Sequence, residues 1–312
     1  MRTYITDGGW GVPLESRNSL KTKNGVGNII LNCLPFCALV SLLLLLPLFA
    51  SSAPPRPAAP KAVGVNQTTP VAERTPVLVE LFTAEGCSDC PPADALLARL
   101  EKTQPIPGAE VIALEQHVDY WDSQGWRDPF SSADATQRQK DYALHFGKGD
   151  PYTPQMVVDG TSGFVGSREA EARQAIARAA QNAKAPVELH WDTTDAQRTD
   201  TRAALEVRIG KLSDVAPHDS DEVFLVITED GLHSNVARGE NAGRALDHFC
   251  VVRHFERLGK ADASGDPAFS ARPVLKLKPA WKRPNLRAVV FVQQNRSRRV
   301  LAAASLPFAN SQ

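Results

Sequence analysis

The apolar positions of this chain change spacing several times along its length. Residues 29–49 are almost wholly apolar, with an unbroken Leu run over 42–46, and residues 51–76 are rich in Pro and Ala with few apolar anchors. Residues 77–82 (Val-Leu-Val-Glu-Leu-Phe) are short, β-branched and apolar, which predicts a buried strand. Pro91-Pro92 permits a helix start but not a helix interior, and Leu96, Leu97 and Leu100 then fall on one helical face. A second strand is predicted over 110–118 and a helix over 131–146. A hairpin is predicted from 156–158 and 163–165 around Asp159-Gly160, and an Ala-rich surface helix over 168–183.

After Pro186 the texture changes. Short alternating or apolar strands are predicted at 187–191, 205–209, 223–228, 274–277, 288–292 and 300–304, interrupted by a long loop and a strand within 239–257. The first half reads strand, helix, strand, helix, hairpin, helix, which is the layout of a thioredoxin-type domain; the second reads as a β-sandwich. The expected fold class is therefore an α/β thioredoxin-like domain over 76–184 followed by an all-β sandwich-like domain over 185–312.

Lys21 and Lys23 precede the long apolar run, and Ala50, Ser51, Ser52 and Ala53 follow it. Basic, apolar, small is the order of a secretory signal, and ~20 apolar residues also just suffice to span a bilayer. Residues 1–53 are thus expected to be a signal peptide or an N-terminal membrane anchor, and 54–75 a Pro/Ala-rich linker. The expected location is periplasmic or secreted, with membrane contact only through an uncleaved N-terminal segment. Lys plus Arg equals Asp plus Glu at 35 each, so no net field draws the chain to nucleic acid. Cys33 and Cys37 fall within the apolar run, which leaves Cys87, Cys90 and Cys250 for the folded part. Three cysteines do not make a disulfide-stapled scaffold; the fold must rest on its core.

The chemistry concentrates at Cys87-Ser88-Asp89-Cys90, placed between the first strand and the first helix. Two thiols at this spacing can close a small disulfide ring, and a helix N-terminus stabilises a thiolate. Cys87 is the expected nucleophile, held accessible, and Cys90 the resolving thiol. Glu85 and Asp89 oppose thiolate formation by like charge. Pro154, before the third strand, is expected to follow a cis peptide bond and shape a substrate groove, leaving the Thr153 backbone to pair with a partner. Trp121 and Trp126 are candidates for a substrate-binding lip. His117, at the end of the second strand, is a candidate proton shuttle or metal ligand, and more simply a structural histidine. Asp128, Asp134 and Asp141 read as solvated acidic scatter, and His233, His248 and His254 lack metal-ligand spacing. Cys250 reads as a small buried hydrophobe.

Several segments together resemble a known family. They are Val79-Glu80-Leu81-Phe82-Thr83-Ala84-Glu85-Gly86-Cys87-Ser88-Asp89-Cys90-Pro91-Pro92-Ala93-Asp94, His117-Val118-Asp119-Tyr120-Trp121-Asp122, Gly125-Trp126, Asp128-Pro129-Phe130 and Tyr152-Thr153-Pro154-Gln155-Met156-Val157-Val158-Asp159-Gly160. Gly239-Glu240-Asn241-Ala242-Gly243-Arg244 and Val251-Val252-Arg253 extend the likeness into the second half. The family is an uncharacterised group of exported bacterial proteins, domain of unknown function 1223. The resemblance implies a thioredoxin-like fold and export, and supplies no substrate.

The expected function is an exported thiol–disulfide oxidoreductase. Cys87 attacks, Cys90 resolves and Pro154 shapes the groove. The partner is a protein or small-molecule thiol or disulfide, and no cofactor is required. One alternative is a copper- or zinc-binding module using Cys87, Cys90 and His117. Another is a non-catalytic envelope binding protein in which the Cys87–Cys90 disulfide is structural.

Overall fold

The computed structural model describes residues 74–147, 149–192 and 201–308. All belong to the second of two compact units, Asn66–Gln312. The expected signal or anchor (1–53) and nearly all of the linker (54–75) lie outside the described residues. Among the described residues no helix is long and apolar enough to cross a membrane.

The first half comprises β1 (Thr75–Thr83), α1 (Pro91–Thr103), β2 (Ala109–His117), α2 (Ala133–His145), β3 (Gln155–Val158), β4 (Ser162–Val165) and α3 (Glu169–Ala179). The second comprises β5 (Val187–Trp191), β6 (Arg202–Ile209), β7 (Asp221–Glu229), β8 (Leu232–Asn235), β9 (Ala245–His248), β10 (Val251–Lys260), β11 (Phe269–Ala271), β12 (Val274–Lys276), β13 (Leu286–Gln294) and β14 (Val300–Pro307).

Strand alternation places the core. On β1, Val77, Val79 and Leu81 face α1 and α3, packing with Leu96, Leu97, Leu100 and Ile176. Leu78, one residue out of phase, joins Ile112, Leu114, Val226, Val289 and Phe291 on the opposite face. Both faces of β1 are covered, so its sequence is an apolar run broken only by Glu80, which is buried and paired with Arg138. The same logic holds in β7 and β13. Val223, Leu225, Ile227, Ala288, Val290 and Val292 face the small sheet built on β5, β6, β11 and β12. Val226, Val289 and Phe291 face the other way.

These strands form one eight-stranded mixed sheet in the order β14-β13-β7-β10-β2-β1-β3-β4. β1 and β2 are parallel in register Thr75↔Ala109 through Thr83↔His117. β10 joins β2 in parallel at Val251↔Glu115 and pairs antiparallel with β7, with register shifts at Val252/His254 and Arg257/Gly259.

This overturns the expected fold class. A thioredoxin-like α/β domain followed by a separate β-sandwich requires each half to hold its own main sheet. Instead one mixed sheet carries β10 of the second half directly beside β2 of the first, and the molecule is predominantly β with three α-helices among the described residues. The apolar runs of β7 and β13 are the physical reason: strands buried on both faces belong inside a covered sheet, not on a sandwich with one wet face.

Candidate functional site

The parallel pair β1 and β2 ends against the N-terminus of α1, and the candidate chemistry collects there. Cys90 is the N-cap of α1, with Pro91 and Pro92 in the first turn, where missing amide hydrogens leave no bond unmade. Cys87 and Cys90 are joined by a disulfide across this turn, with Cα atoms 5.4 Å apart. The Cys90 carbonyl accepts from the amides of Ala93 (2.8 Å) and Asp94 (3.1 Å). Ser88 and Asp89 are exposed, but Cys87 and Cys90 are only 1 % and 0 % accessible. The expectation of an accessible sulfur is therefore corrected: both cysteines are covered.

The cover comes from the far side of the sequence. β8 and β9 form a hairpin whose tip lies over the disulfide turn. Gly239 and Gly243 take left-handed backbone angles (φ 78° and 82°) that let the tip fold back on itself. Asn241, fully buried, donates through Nδ2 to the carbonyls of Glu85 (2.8 Å) and Cys87 (2.9 Å). The Glu240 carboxylate accepts from the Ser88 amide (3.0 Å) and hydroxyl (2.7 Å), which hold it below its usual pKa. On the other flank, the disulfide packs with Phe82, Val118, Tyr142 and Trp121.

Trp121 connects the turn to the predicted groove. Its side chain lies against Gly86, where an added Cβ would come within 3.3 Å of the Trp121 Cβ and 3.6 Å of the ring, and its Nε1 donates to Thr153 Oγ1 at 2.8 Å. The Thr153–Pro154 bond is cis, and Pro154 is buried near Ala93 of α1 across Gly166. Cys87, Cys90, Trp121, Thr153 and Pro154 thus gather around the start of α1. Trp126 does not join them; its Nε1 donates to Glu85 Oε2 at 2.7 Å and its Cβ lies under Gly239 of the hairpin tip. Glu85 is buried against Trp126 and His248, and Asp89 is exposed.

A second cluster lies on the same face of the sheet. Glu115 and His117 are two residues apart on β2 and project to one side. His117 Nδ1 bonds Asp128 Oδ2 (2.7 Å) and its Nε2 bonds Glu115 Oε1 (3.0 Å). His248, at the end of β9, places Nδ1 2.7 Å from the same Glu115 oxygen. Its Nε2 sits 3.2 Å from Glu85 Oε1, close enough to pair but off hydrogen-bond alignment. All these groups are essentially inaccessible. Burial alone would depress the imidazole of His117, but Asp128 and then Glu115 outweigh it, and its pKa lies well above the usual value. Burial likewise works against charge on His248; the bond to Glu115 and the Glu85 carboxylate raise its pKa to about 9. Burial opposes ionisation of Glu115 and Asp128 as well, and the histidines overcome it, holding both carboxyls low.

Asp94, one turn into α1, is also buried. Desolvation, and next the charge of Glu115, raise its pKa to about 7 against the bond from Thr83 Oγ1 at 2.7 Å.

The structure does not assemble Cys87, Cys90 and His117 as a metal set. The cysteines bond each other, and both nitrogens of His117 face carboxylates. Two further readings are corrected. Asp128 is a buried partner of His117 and of the Glu85 amide (2.9 Å), not solvated scatter. His248, set aside for its spacing, converges with His117 on one oxygen. Charged residues ending the otherwise apolar run of β2 were the signal for Glu115; the family-like segment 239–244 marked Asn241 without a role, and nothing local marked His248. Cys250 is buried in the α1-side core with a left-handed φ of 58°, and burial raises its thiol well above the usual range.

Two solved structures share this architecture. A structural-genomics protein from Agrobacterium tumefaciens is 24 % identical, with a TM-score of 0.57, covering 77 % of this chain and 97 % of its own. HBP35 of Porphyromonas gingivalis is 15 % identical, with a TM-score of 0.56, covering 77 % and 79 %. At these identities the likeness concerns the fold alone. A search of curated proteins gives no significant match. Residues 78–293, more than half of the chain, match the family described as Protein of unknown function (DUF1223), and the chain belongs to that family.

Proposed function

We propose that the protein exchanges disulfides with an external dithiol through Cys87 and Cys90, and that the β8–β9 tip governs access to the pair. The observation that supports this reading is the disulfide closed over the first turn of α1, beneath a hairpin tip attached through Glu240 and Asn241. In the proposed reaction a partner thiolate attacks Cys87 Sγ, the Cys87–Cys90 bond breaks, and Cys90 leaves as a thiolate that takes up a proton. A second partner thiol, deprotonated, then attacks the partner sulfur of the mixed disulfide and releases Cys87 as a thiolate. The partner loses two electrons and becomes a disulfide; the protein gains them as two thiols. The helix N-terminus favours the Cys87 thiolate leaving group. Asp94, a buried carboxyl with a pKa of about 7 one turn beyond Cys90, is suited to store the proton. Thr153 and Trp121 border the place where a partner chain would lie. Export directed by residues 29–49 would put the pair where disulfides persist.

Burial favours a second reading, in which the disulfide only staples the turn. Thiol trapping of folded protein, equilibrated in graded dithiothreitol buffers and read by mass, separates the two. Reversible gain of two thiols without denaturant supports exchange. Reduction seen only in denaturant assigns a structural bridge.

A further inference from the structure

We propose that Glu115, His117 and His248 form a binding site for one divalent transition-metal cation, separate from the disulfide. Glu115 Oε1 is the point of convergence: His117 Nε2 lies 3.0 Å from it and His248 Nδ1 2.7 Å. The three donor atoms all lie within 4.8 Å of one another. Ligands placed at about 2.0–2.2 Å from one tetrahedral ion sit roughly 3.4 Å apart, so small side-chain rotations suffice to seat it.

The far nitrogens strengthen the assignment. A metal-bound histidine commonly gives its other ring N–H to a carboxylate, which fixes its orientation. Here both do so in outline: His117 Nδ1 to Asp128 Oδ2 at 2.7 Å, and His248 Nε2 toward Glu85 Oε1 at 3.2 Å. This second pair is the loose joint of the cluster. Both atoms are buried without a hydrogen-bond partner, in residues no more than 1 % exposed. A ring turn that takes Nδ1 off Glu115 and onto a shared ion is the kind of adjustment that can bring Nε2 and Glu85 into line.

One carboxylate and two imidazoles, with no thiolate, suit Zn(II), Fe(II) or Mn(II) rather than Cu(I). Phe130 stands between the cluster and the surface. Phe130 touches both rings edge-on, with centroids 5.4 Å from His117 and 5.5 Å from His248. The same side chain lines a surface cleft of about 650 Å³ with Gln116 and Arg253.

The test uses purified protein with its disulfide intact, stripped with chelator and dialysed against micromolar Zn(II), with metal content measured per chain. One equivalent is expected. H248Q should lose at least 100-fold in affinity and D128N about 10–100-fold. H233Q, which alters an exposed histidine paired with Asp247, should bind as wild type. Failure of the wild type to retain zinc, full binding by H248Q, or equal loss in H233Q would each overturn the site. Should H248Q not fold, Co(II) titration of the wild type decides. Visible ligand-field bands of a nitrogen and oxygen site support the proposal; thiolate charge transfer, or no bands, contradicts it.

Discussion

The disulfide turn and the histidine cluster meet at Glu85 but are shut off from water by different forces. Above Glu85, the cysteines lie under a hairpin tip fastened by hydrogen bonds from Asn241 to the buried carbonyls of Glu85 and Cys87, and from exposed Ser88 to the Glu240 carboxylate. Below it, Glu115, His117, His248 and Asp128 form a dry, charged network in which each ion is neutralised by another. A few hydrogen bonds of about 1 kcal/mol each can open and close. A buried ion left without its partner is destabilising by several kcal/mol. The proposed exchange requires the first region to open, at the loss of a few hydrogen bonds, whereas opening the second would strand buried charge.

The sharpest way to break this contrast is Glu115→Ala in chelator-treated protein. Removing the oxygen shared by both imidazoles should destabilise the fold by about 3–5 kcal/mol, measured by denaturant unfolding. A loss under about 1 kcal/mol would mean the cluster carries little buried charge.

Asp94→Asn probes the boundary between the regions through pH. The folded-state pKa of Asp94 is raised from 3.8 to about 7, so its favourable contribution is complete below pH 3.8 and is lost as pH climbs through 7. The stability of the wild type relative to Asp94→Asn should therefore fall between pH 4 and pH 8, by up to about 4 kcal/mol at 1.36 kcal/mol per unit. Parallel stability curves would show that Asp94 ionises as freely in the fold as in the unfolded chain.

Replacing both Cys87 and Cys90 with Ser should be milder. A ring this short restricts the unfolded chain little, and about 2 kcal/mol is expected from loop-closure entropy, read from the same unfolding curves. A loss comparable to that of Glu115→Ala would make the bridge a main structural support and count against its exchange role.

The disulfide turn was largely legible because its parts are contiguous. Cys87, Cys90, Pro91 and the leucines of α1 announce strand, turn and helix within two dozen residues. The histidine cluster was not, because topology assembles it. β10 reaches β2 through a single pairing, Val251↔Glu115, and brings His248 with it. A strand was legible within 239–257, but β10's two register shifts break the period of two and its exposed charges dilute the apolar signal, so its place beside β2 was not. The same strand joins the halves into one sheet, so its unforeseen pairing with β2 is what separates the expected two sheets from the continuous layer of the described residues. Asp128 looked like surface acid because only the fold shows that His117 lies opposite.

The central claim, that a movable cover controls a reactive disulfide, is tested most directly by the rate at which dithiothreitol reduces Cys87–Cys90 in native buffer, compared between wild type and Asn241→Ala. Loss of two hydrogen bonds of about 1 kcal/mol each should speed reduction by roughly tenfold or more, with the circular dichroism spectrum unchanged. Equal rates in the two proteins, or a rate in both that equals global unfolding, would contradict it.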